Sequence, residues 1–468
     1  MAKSAKVYGK IIENLEITEA ASEGVCIGKH EGKIIFVPFA VPGDVVDVML
    51  VRSKKNYSEG FIRNIHKKGP SRVNPICSHF TLCGGCRWQH MDYQTQLSIK
   101  EKQVADNIER IGGVEVEKTF PITPSPNIFH YRNKLEFAFT DQRWLMEDEL
   151  NKATERRGLG FHLPGRFDKV FSVDCCYLQD DYENEIRKVA LETALLQDLS
   201  FYNRKSHDGF LRNLMIRNSS SFHWMVTVVF GFYDKQKINT YLSELKEKLP
   251  LVKSWIYIIN EKANDSMNDL DFNLFYGDEF FVETMEHLRF NVGPLSFYQV
   301  NVPQATEMYR MVRKLSNLNG SEIVYDLYTG TGTIALFVAP NAKKVIGIEN
   351  VPQAIDDAKK NATQNNINNA EFYCGDLAKT LNDSFIAQHG HPEVIITDPP
   401  RSGMHPDVVA QILKIEPDRI IYVSCNPATQ ARDIALLKEK YKVLETHPFD
   451  MFPHTHHVEN IALLKKIT

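Results

Sequence analysis

Cys425 lies between an apolar strand pattern, IIYV, and the turn Ser424-Cys425-Asn426-Pro427, a place where a cysteine can be presented as a thiolate nucleophile. A second strand end, following the apolar VII, carries Thr397-Asp398-Pro399-Pro400-Arg401. In an alternating strand–helix sheet, ligands gather at the carboxyl edge of the strands, so both turns should face one site. Near the C-terminus HPFDMFPHTHHVEN is dense in ionisable groups. His454, His456 and His457 lie there in a Pro-broken loop without the periodicity of metal ligands. Glu459, just before the closing apolar strand IALL, is the better candidate for a general base. The plain alternatives are an inert buried cysteine and a carboxylate in a salt bridge or in water.

A cofactor half-site precedes this centre. Ile323-Val324-Tyr325-Asp326-Leu327-Tyr328-Thr329-Gly330-Thr331-Gly332 reads as a buried strand entering a Gly-rich turn and then a helix, and the glycines let a ligand approach the backbone. After the next strand, VIGIE places Glu349 where a carboxylate can accept from a ribose diol. A nicotinamide dinucleotide would use the same geometry, but Ala335 stands where the third glycine of that fingerprint belongs. Gly375-Asp376, closing a third strand, adds an acceptor for an adenine amino group, and together these favour S-adenosylmethionine. A methyl donor, a nucleophilic thiol and a carboxylate base are needed together when the methyl acceptor is a ring carbon that must first be activated, such as carbon 5 of uracil. Nitrogen or oxygen methylation needs no such cysteine.

Of eight cysteines, Cys77, Cys83 and Cys86 fall within one short segment, CSHFTLCGGC. Thiols so close call for a metal, and the nearest source of a further ligand is Cys175-Cys176. Four thiolates suit zinc or an iron–sulfur cluster, and this spacing is nearer to cluster spacing. Cys26 and Cys374 lie in strand-like surroundings and read as core residues.

The elements that must position these residues divide the chain into three. The 468 residues, 43% hydrophobic and 24% charged with a net charge of −4, are those of an ordinary globular protein, which excludes disorder and a disulfide-stapled scaffold. No apolar stretch reaches a membrane span, and no signal-peptide pattern is visible, so the cytoplasm is expected. Residues 1–70 read as short strands broken by Gly and Pro, a small barrel of the oligonucleotide-binding kind. Residues 71–290 form a mixed α+β segment with the Cys-rich connector, a helix over Asp92–Ile111 ending at Gly112-Gly113, strands in YRNKLEFAFT, RNLMIR, HWMVTVVFGF and SWIYIIN, and a helix near 180–197. Residues 291–468 alternate strand and helix, the pattern of a doubly wound, Rossmann-like α/β sheet. Charge is uneven: residues 51–90 carry eight basic side chains against one acidic, so a basic head could meet a polyanion. A solvated surface is the plain alternative.

In this order the motifs CSHFTLCGGC, HYRNKLEF, FYQVN, DLYTGTGT, DPPR, SCNP and FPHTHHVE resemble the RNA uracil-5-methyltransferase family, in particular its iron–sulfur-containing 23S ribosomal RNA members, over nearly the whole chain. The resemblance implies an N-terminal TRAM-like RNA-binding barrel and a C-terminal methyltransferase domain. It implies a [4Fe-4S] cluster on Cys77, Cys83, Cys86 and, from the context Cys-Tyr-Leu-Gln, Cys176 rather than Cys175. It also implies Cys425 as nucleophile and Glu459 as base. Gln299, Tyr328, Glu349 and Asp398 match the family's S-adenosylmethionine positions, with Thr333 and Asp376 matching less closely, and Asp398 could also face the uracil. Tyr-Thr-Gly stands here where some relatives have Phe-Cys-Gly, which leaves the backbone cradle intact. Arg132 and Lys134 in YRNK are candidate RNA contacts, with a surface strand pair as the alternative. The expected partner is RNA, a uridine in an unstacked loop of 23S rRNA, with no DNA, membrane or protein partner inferred. The rival readings are tRNA uracil-5 methylation, RNA cytosine-5 methylation, and a non-catalytic RNA-binding assembly factor on the same fold. The HVE segment and the lack of a second Cys near Cys425 count against cytosine.

Overall fold

The computed structural model describes residues 9–152, 154–267 and 269–467, so the first eight residues of the expected barrel segment lie outside it. Five strands, Ile11–Ala20, Val25–His30, Lys33–Pro38, Val45–Ser53 and Tyr57–Lys67, close into a barrel in the order 1-2-3-5-4. Alternating side chains such as Leu15, Ile17, Val37, Val46 and Val48 fill its interior. The turn at Pro42-Gly43-Asp44 is tied down by Asp44, whose buried carboxylate accepts from the backbone of Val41 (2.7 Å) and Gly69 (2.8 Å) and from Arg72 Nε (3.0 Å). Arg72 is thereby spent on a buried ion pair rather than left on the basic surface.

The helix Tyr93–Asn107 is capped by Asp92 and runs on as one wider turn, Ile108–Gly112, ending at Gly113 with φ +58°, as the paired glycines predict. Behind it stands a seven-stranded sheet, in the order Phe272–Tyr276, Val252–Ile259, Trp224–Phe230, Leu211–Asn218, Lys134–Thr140, Gly158–Leu163, Arg166–Ser172. Helices Asp181–Leu196 and Lys235–Lys248 cover one face. Met225 and Ile256 on the other face join the core of the C-terminal unit.

That unit is an eight-stranded sheet in the order Ala370–Cys374, Lys344–Glu349, Ile323–Leu327, Val394–Thr397, Arg419–Ser424, Glu459–Lys466, Tyr441–Phe449, Val116–Thr119. The first five strands are parallel. Helices Val302–Ser316, Thr333–Val338 and Pro352–Gln364 cover one face, and Pro406–Ile415 and Pro427–Leu437 the other. Two segments from earlier in the chain belong to this layer: Val116–Thr119 extends the sheet beside Tyr441–Phe449, and the hairpin Phe281–Met285/Leu288–Val292 packs on its core. Cys26 is buried in the barrel, but Cys374 is not a core residue. It is exposed, because it ends the edge strand, where no further strand covers it. Among the described residues no helix is long and apolar enough to cross a membrane.

Candidate active site

The strand Ile323–Leu327 is flanked by the strands that follow it on opposite sides, Lys344–Glu349 and Val394–Thr397, which makes its carboxyl end the switch point of the sheet. The chain leaves it in left-handed backbone at Tyr328 (φ +61°), Gly330 (+55°) and Gly332 (+79°). A Cβ at Gly330 would meet nothing within 4 Å, so the space above the turn is open. A Cβ at Gly332 would stand 2.9 Å from the Phe372 ring and 3.0 Å from Ala358, so the turn also needs glycine for close packing. Asp326 holds the turn: its buried carboxyl accepts from Thr329 Oγ1 (2.5 Å) and Ala335 N (3.1 Å). Asp326 is not among the candidates above, although a carboxylate inside the apolar run IVYDL is a signal in itself.

The candidate cofactor residues fall into two adjoining groups. Glu349 Oε2 accepts from Gly330 N (3.3 Å), and Oε1 accepts from Asn350 N and Val351 N. Asp376 caps the next short helix through Ala378 N (3.1 Å). Both carboxylates act on the Tyr328 phenol, whose pKa is raised chiefly by burial. Thr333 opens the helix after the turn, 3.3 Å from the Thr331 hydroxyl. Around the buried ring of Tyr309 stand Asp398, Gln299, Glu459 and Asp326, all of which act on its hydroxyl. Asp326 joins the groups, being raised to about 7 by burial first and then by Asp398 and Glu349. Burial raises Asp398 to about 7 as well. So many carboxyls repelling one another, with little positive charge among them, suit a cationic ligand such as a sulfonium.

Cys425 and Glu459 meet through strand register. Glu459–Lys466 runs antiparallel to Arg419–Ser424 with Asn460 opposite Ser424, so one step further on Glu459 lies opposite Cys425. Gln430 locks this register, donating to the carbonyls of Tyr422 (2.8 Å) and Asn460 (3.1 Å) and accepting from Asn460 Nδ2 (2.8 Å). Asn426 caps the helix Pro427–Leu437 and donates to the Arg401 carbonyl (3.1 Å), which ties the Cys425 turn to the Asp398 turn. Burial, Glu459 and Asp398 together push the Cys425 thiol up to about 11, with Arg401 opposing. Burial and Asp398 push Glu459 up to about 8, again against Arg401. At pH 7 the resting thiol and the Glu459 carboxyl therefore both hold protons.

The loop between the strands Tyr441–Phe449 and Glu459–Lys466 is buckled to the helix Tyr93–Asn107. Lys100 and Asp450, both fully buried, pair at 2.6 Å, and Tyr93 donates to the second Asp450 oxygen (2.8 Å). His454 is held by Gln96 through its backbone N–H (2.9 Å) and Nδ1 (3.3 Å). Nothing in the sequence pattern signalled Lys100, a lysine that helical spacing alone does not distinguish from its exposed neighbours. Of the YRNK pair, Arg132 lies over the Phe452 ring at 5.6 Å, while Lys134 pairs in register with Arg217 and is lowered to about 8, chiefly by burial.

The cysteines assemble apart from this centre. Burial pushes the Cys86 thiol up to about 12, and Cys176, Cys83 and Cys77 all add to it. Cys176 is raised similarly, by burial and then by Cys83 and Cys77. Gln89 spans the segment, accepting from Cys77 N (3.2 Å) and donating to Cys86 Sγ (3.3 Å). Gly84, at φ +75°, turns the chain between the second and third thiols. Among the described residues no three or more His, Cys, Asp or Glu converge tightly enough for a single ion. A four-iron cluster is wider than an ion, so its ligands stand farther apart. Four mutually sensed thiols free of disulfides are the donor set it requires.

Residues 232–467 match the family described as tRNA (uracil-5-)-methyltransferase, and residues 9–62 match the TRAM domain. The chain is 51% identical to an uncharacterized RNA methyltransferase of Bacteroides thetaiotaomicron, over 95% of this chain and 99% of that one. A Porphyromonas gingivalis protein of the same description is 47% identical, over 97% and 100%. Among solved structures, the Pyrococcus abyssi tRNA (uracil-54, C5)-methyltransferase in complex with S-adenosyl-L-homocysteine superposes with a TM-score of 0.74 at 29% identity, covering 97% of this chain and all of that one.

Proposed function

Because the chain belongs to the RNA uracil-5-methyltransferase family and carries its TRAM domain, we propose that it methylates carbon 5 of an unstacked uridine in 23S rRNA, through a covalent bond between Cys425 and carbon 6. The observation that carries this reading is the register that sets Glu459 opposite Cys425, at the same sheet edge as Asp398. S-adenosylmethionine, when bound, supplies an electrophilic methyl group. Gln299, Tyr328, Thr333, Glu349, Asp376 and Asp398 would hold it, Glu349 and Asp376 as carboxylate acceptors at the strand ends beside the glycine turn and Asp398 beside Cys425 and Glu459. Cys425 first gives its thiol proton to solvent; the thiolate then adds to carbon 6 of the uracil, and the ring electrons so displaced make carbon 5 a nucleophile. Glu459 has given its own proton to solvent while a sulfonium cation favours its ionised form; once carbon 5 carries its new substituent, the Glu459 carboxylate takes the proton from that carbon, the electrons of the broken C–H bond restore the ring double bond, and sulfur leaves with its electron pair. Cys77, Cys83, Cys86 and Cys176 would hold a [4Fe-4S] cluster, which would cross-link the segment between the barrel and the central sheet.

A second reading, methylation of a tRNA uridine, is favoured by the superposition on the archaeal tRNA enzyme. RNA from a strain lacking the gene separates the two: methyl label from S-adenosylmethionine should enter 23S rRNA, and label confined to tRNA selects the second reading. RNA carrying 5-fluorouridine should become covalently attached to the wild type and not to Cys425→Ala. Attachment to Cys425→Ala, or methylation by it at the wild-type rate, removes the nucleophile assignment.

A further inference from the structure

Three guanidinium groups from distant parts of the chain converge on the loop before Glu459. Arg87 donates its backbone N–H to the His454 carbonyl (2.8 Å), and a Cβ on Gly24 would stand 3.3 Å from the Cβ atoms of both Arg87 and His456. Arg401 Nη2 lies 3.5 Å from His457 Nε2, and the His456 and His457 rings are 4.1 Å apart. Arg132 approaches from the central sheet over Phe452, whose ring is 6.1 Å from that of His457. The other cations of this region are already engaged, Arg72 by Asp44 and Lys100 by Asp450. Among the described residues Arg87, Arg132 and Arg401 form no ion pair. The carboxyls that sense Arg401, Glu459 and Asp398, belong to the reacting centre below it. Arg132 Nε and His456 Nδ1 are buried without a hydrogen-bond partner. Burial, then Arg87, Lys100 and Arg401, keeps His456 at about 4, and burial, then His456, Arg401, Lys100 and Arg132, keeps His457 at about 3, so both imidazoles are neutral and the positive charge not already paired is that of the guanidiniums.

Unpaired planar forks gathered around a neutral loop are built for an oxyanion with several acceptor oxygens. Resting on the methylation reading above, we propose that Arg87, Arg132 and Arg401 form a phosphodiester site that grips the RNA backbone on either side of the target uridine. A base reaching Cys425 must leave its stack, which brings its own flanking phosphates toward these side chains, of which Arg401 already acts on Cys425 and Glu459. The site joins the Cys-rich connector, the central sheet and the methyltransferase sheet, so a bound backbone spans all of them.

The test uses a fluorescein-labelled single-stranded RNA nonamer with one central uridine, and a second version with neutral methylphosphonates at the two linkages flanking it. Wild-type protein should bind the neutral version about tenfold more weakly, as expected for lost charge-assisted contacts. An Arg87→Gln/Arg132→Gln variant should bind the native nonamer weakly, with a salt slope shallower by roughly 1 to 1.5, and should lose less than about twofold more on neutralisation. An equal penalty in wild type and variant, including none in either, overturns the site. The wild-type arm needs no substitution, so misfolding of a variant cannot rescue the idea. A 5-fluorouridine nonamer reports the chemistry separately. Covalent attachment without a backbone penalty rejects the arginine site and keeps the methylation reading. A backbone penalty confined to the wild type, with no attachment, does the reverse.

Discussion

The raised thiol pKa of Cys425 sets a pH dependence that can be read without S-adenosylmethionine. With its pKa pushed up to about 11 by burial and by the charges of Glu459 and Asp398, the thiol is almost wholly protonated at pH 7. The rate constant for attachment to 5-fluorouridine RNA should therefore rise with pH, by less than tenfold per unit between about pH 7 and 8, where Asp398 and Glu459 ionise and raise the thiol pKa, and by about tenfold per unit from there to about pH 10. Asp398 adds to the thiol's pKa only when ionised, which begins near its own value of about 7. An Asp398→Asn variant should thus match the wild type below pH 7 and react faster above it, by on the order of tenfold, the effect of one like charge removed. Arg401→Gln removes the opposing cation and should slow attachment across the whole range. The assay is second-order attachment under single-turnover conditions, read on denaturing gels. A flat profile from pH 7 to 10, or an Asp398→Asn curve parallel to the wild type at every pH, would refute the electrostatic reasoning.

Binding of S-adenosylmethionine near pH 7 should expel up to about two protons, because a sulfonium favours the ionised forms of Asp326, Asp398 and Glu459, raised to about 7, 7 and 8. Calorimetry in buffers of different ionisation enthalpy measures this, and equal release by S-adenosylhomocysteine, whose sulfur is neutral, would count against it. Asp450→Leu strands the buried Lys100 ammonium and should cost about 3–5 kcal/mol in urea unfolding, most of it recovered in Lys100→Met/Asp450→Leu; equal losses in both would sink the argument. Cys176→Ser should abolish iron retention after anaerobic reconstitution while Cys175→Ser keeps it, and the opposite pattern would reassign the ligand.

Local patterns made much of the architecture legible. The Pro42-Gly43-Asp44 turn, the paired glycines after the connector helix and the alternation of apolar strands with helices after residue 291 each declare themselves within a few residues, because backbone conformation and burial are set by near neighbours. Val116–Thr119 was not legible as part of the C-terminal sheet. Four mostly exposed residues carry no mark of a partner strand more than three hundred positions away. Cys374 misled for a related reason: its strand-like neighbours do not say whether the strand lies at an edge.

The amino-acid order by itself determined which groups could react: a thiol after one strand, carboxyls after four others or at their start, and glycines that leave a turn open to a ligand. Only the tertiary structure decided how they act on one another. The antiparallel register placed Glu459 opposite Cys425, burial with Asp398 raised both their pKa values, and Lys100 with Asp450 fixed the loop on which three arginines from separate segments converge. Proximity and desolvation depend on contacts between residues far apart in the chain, and neither is written in any local stretch of it.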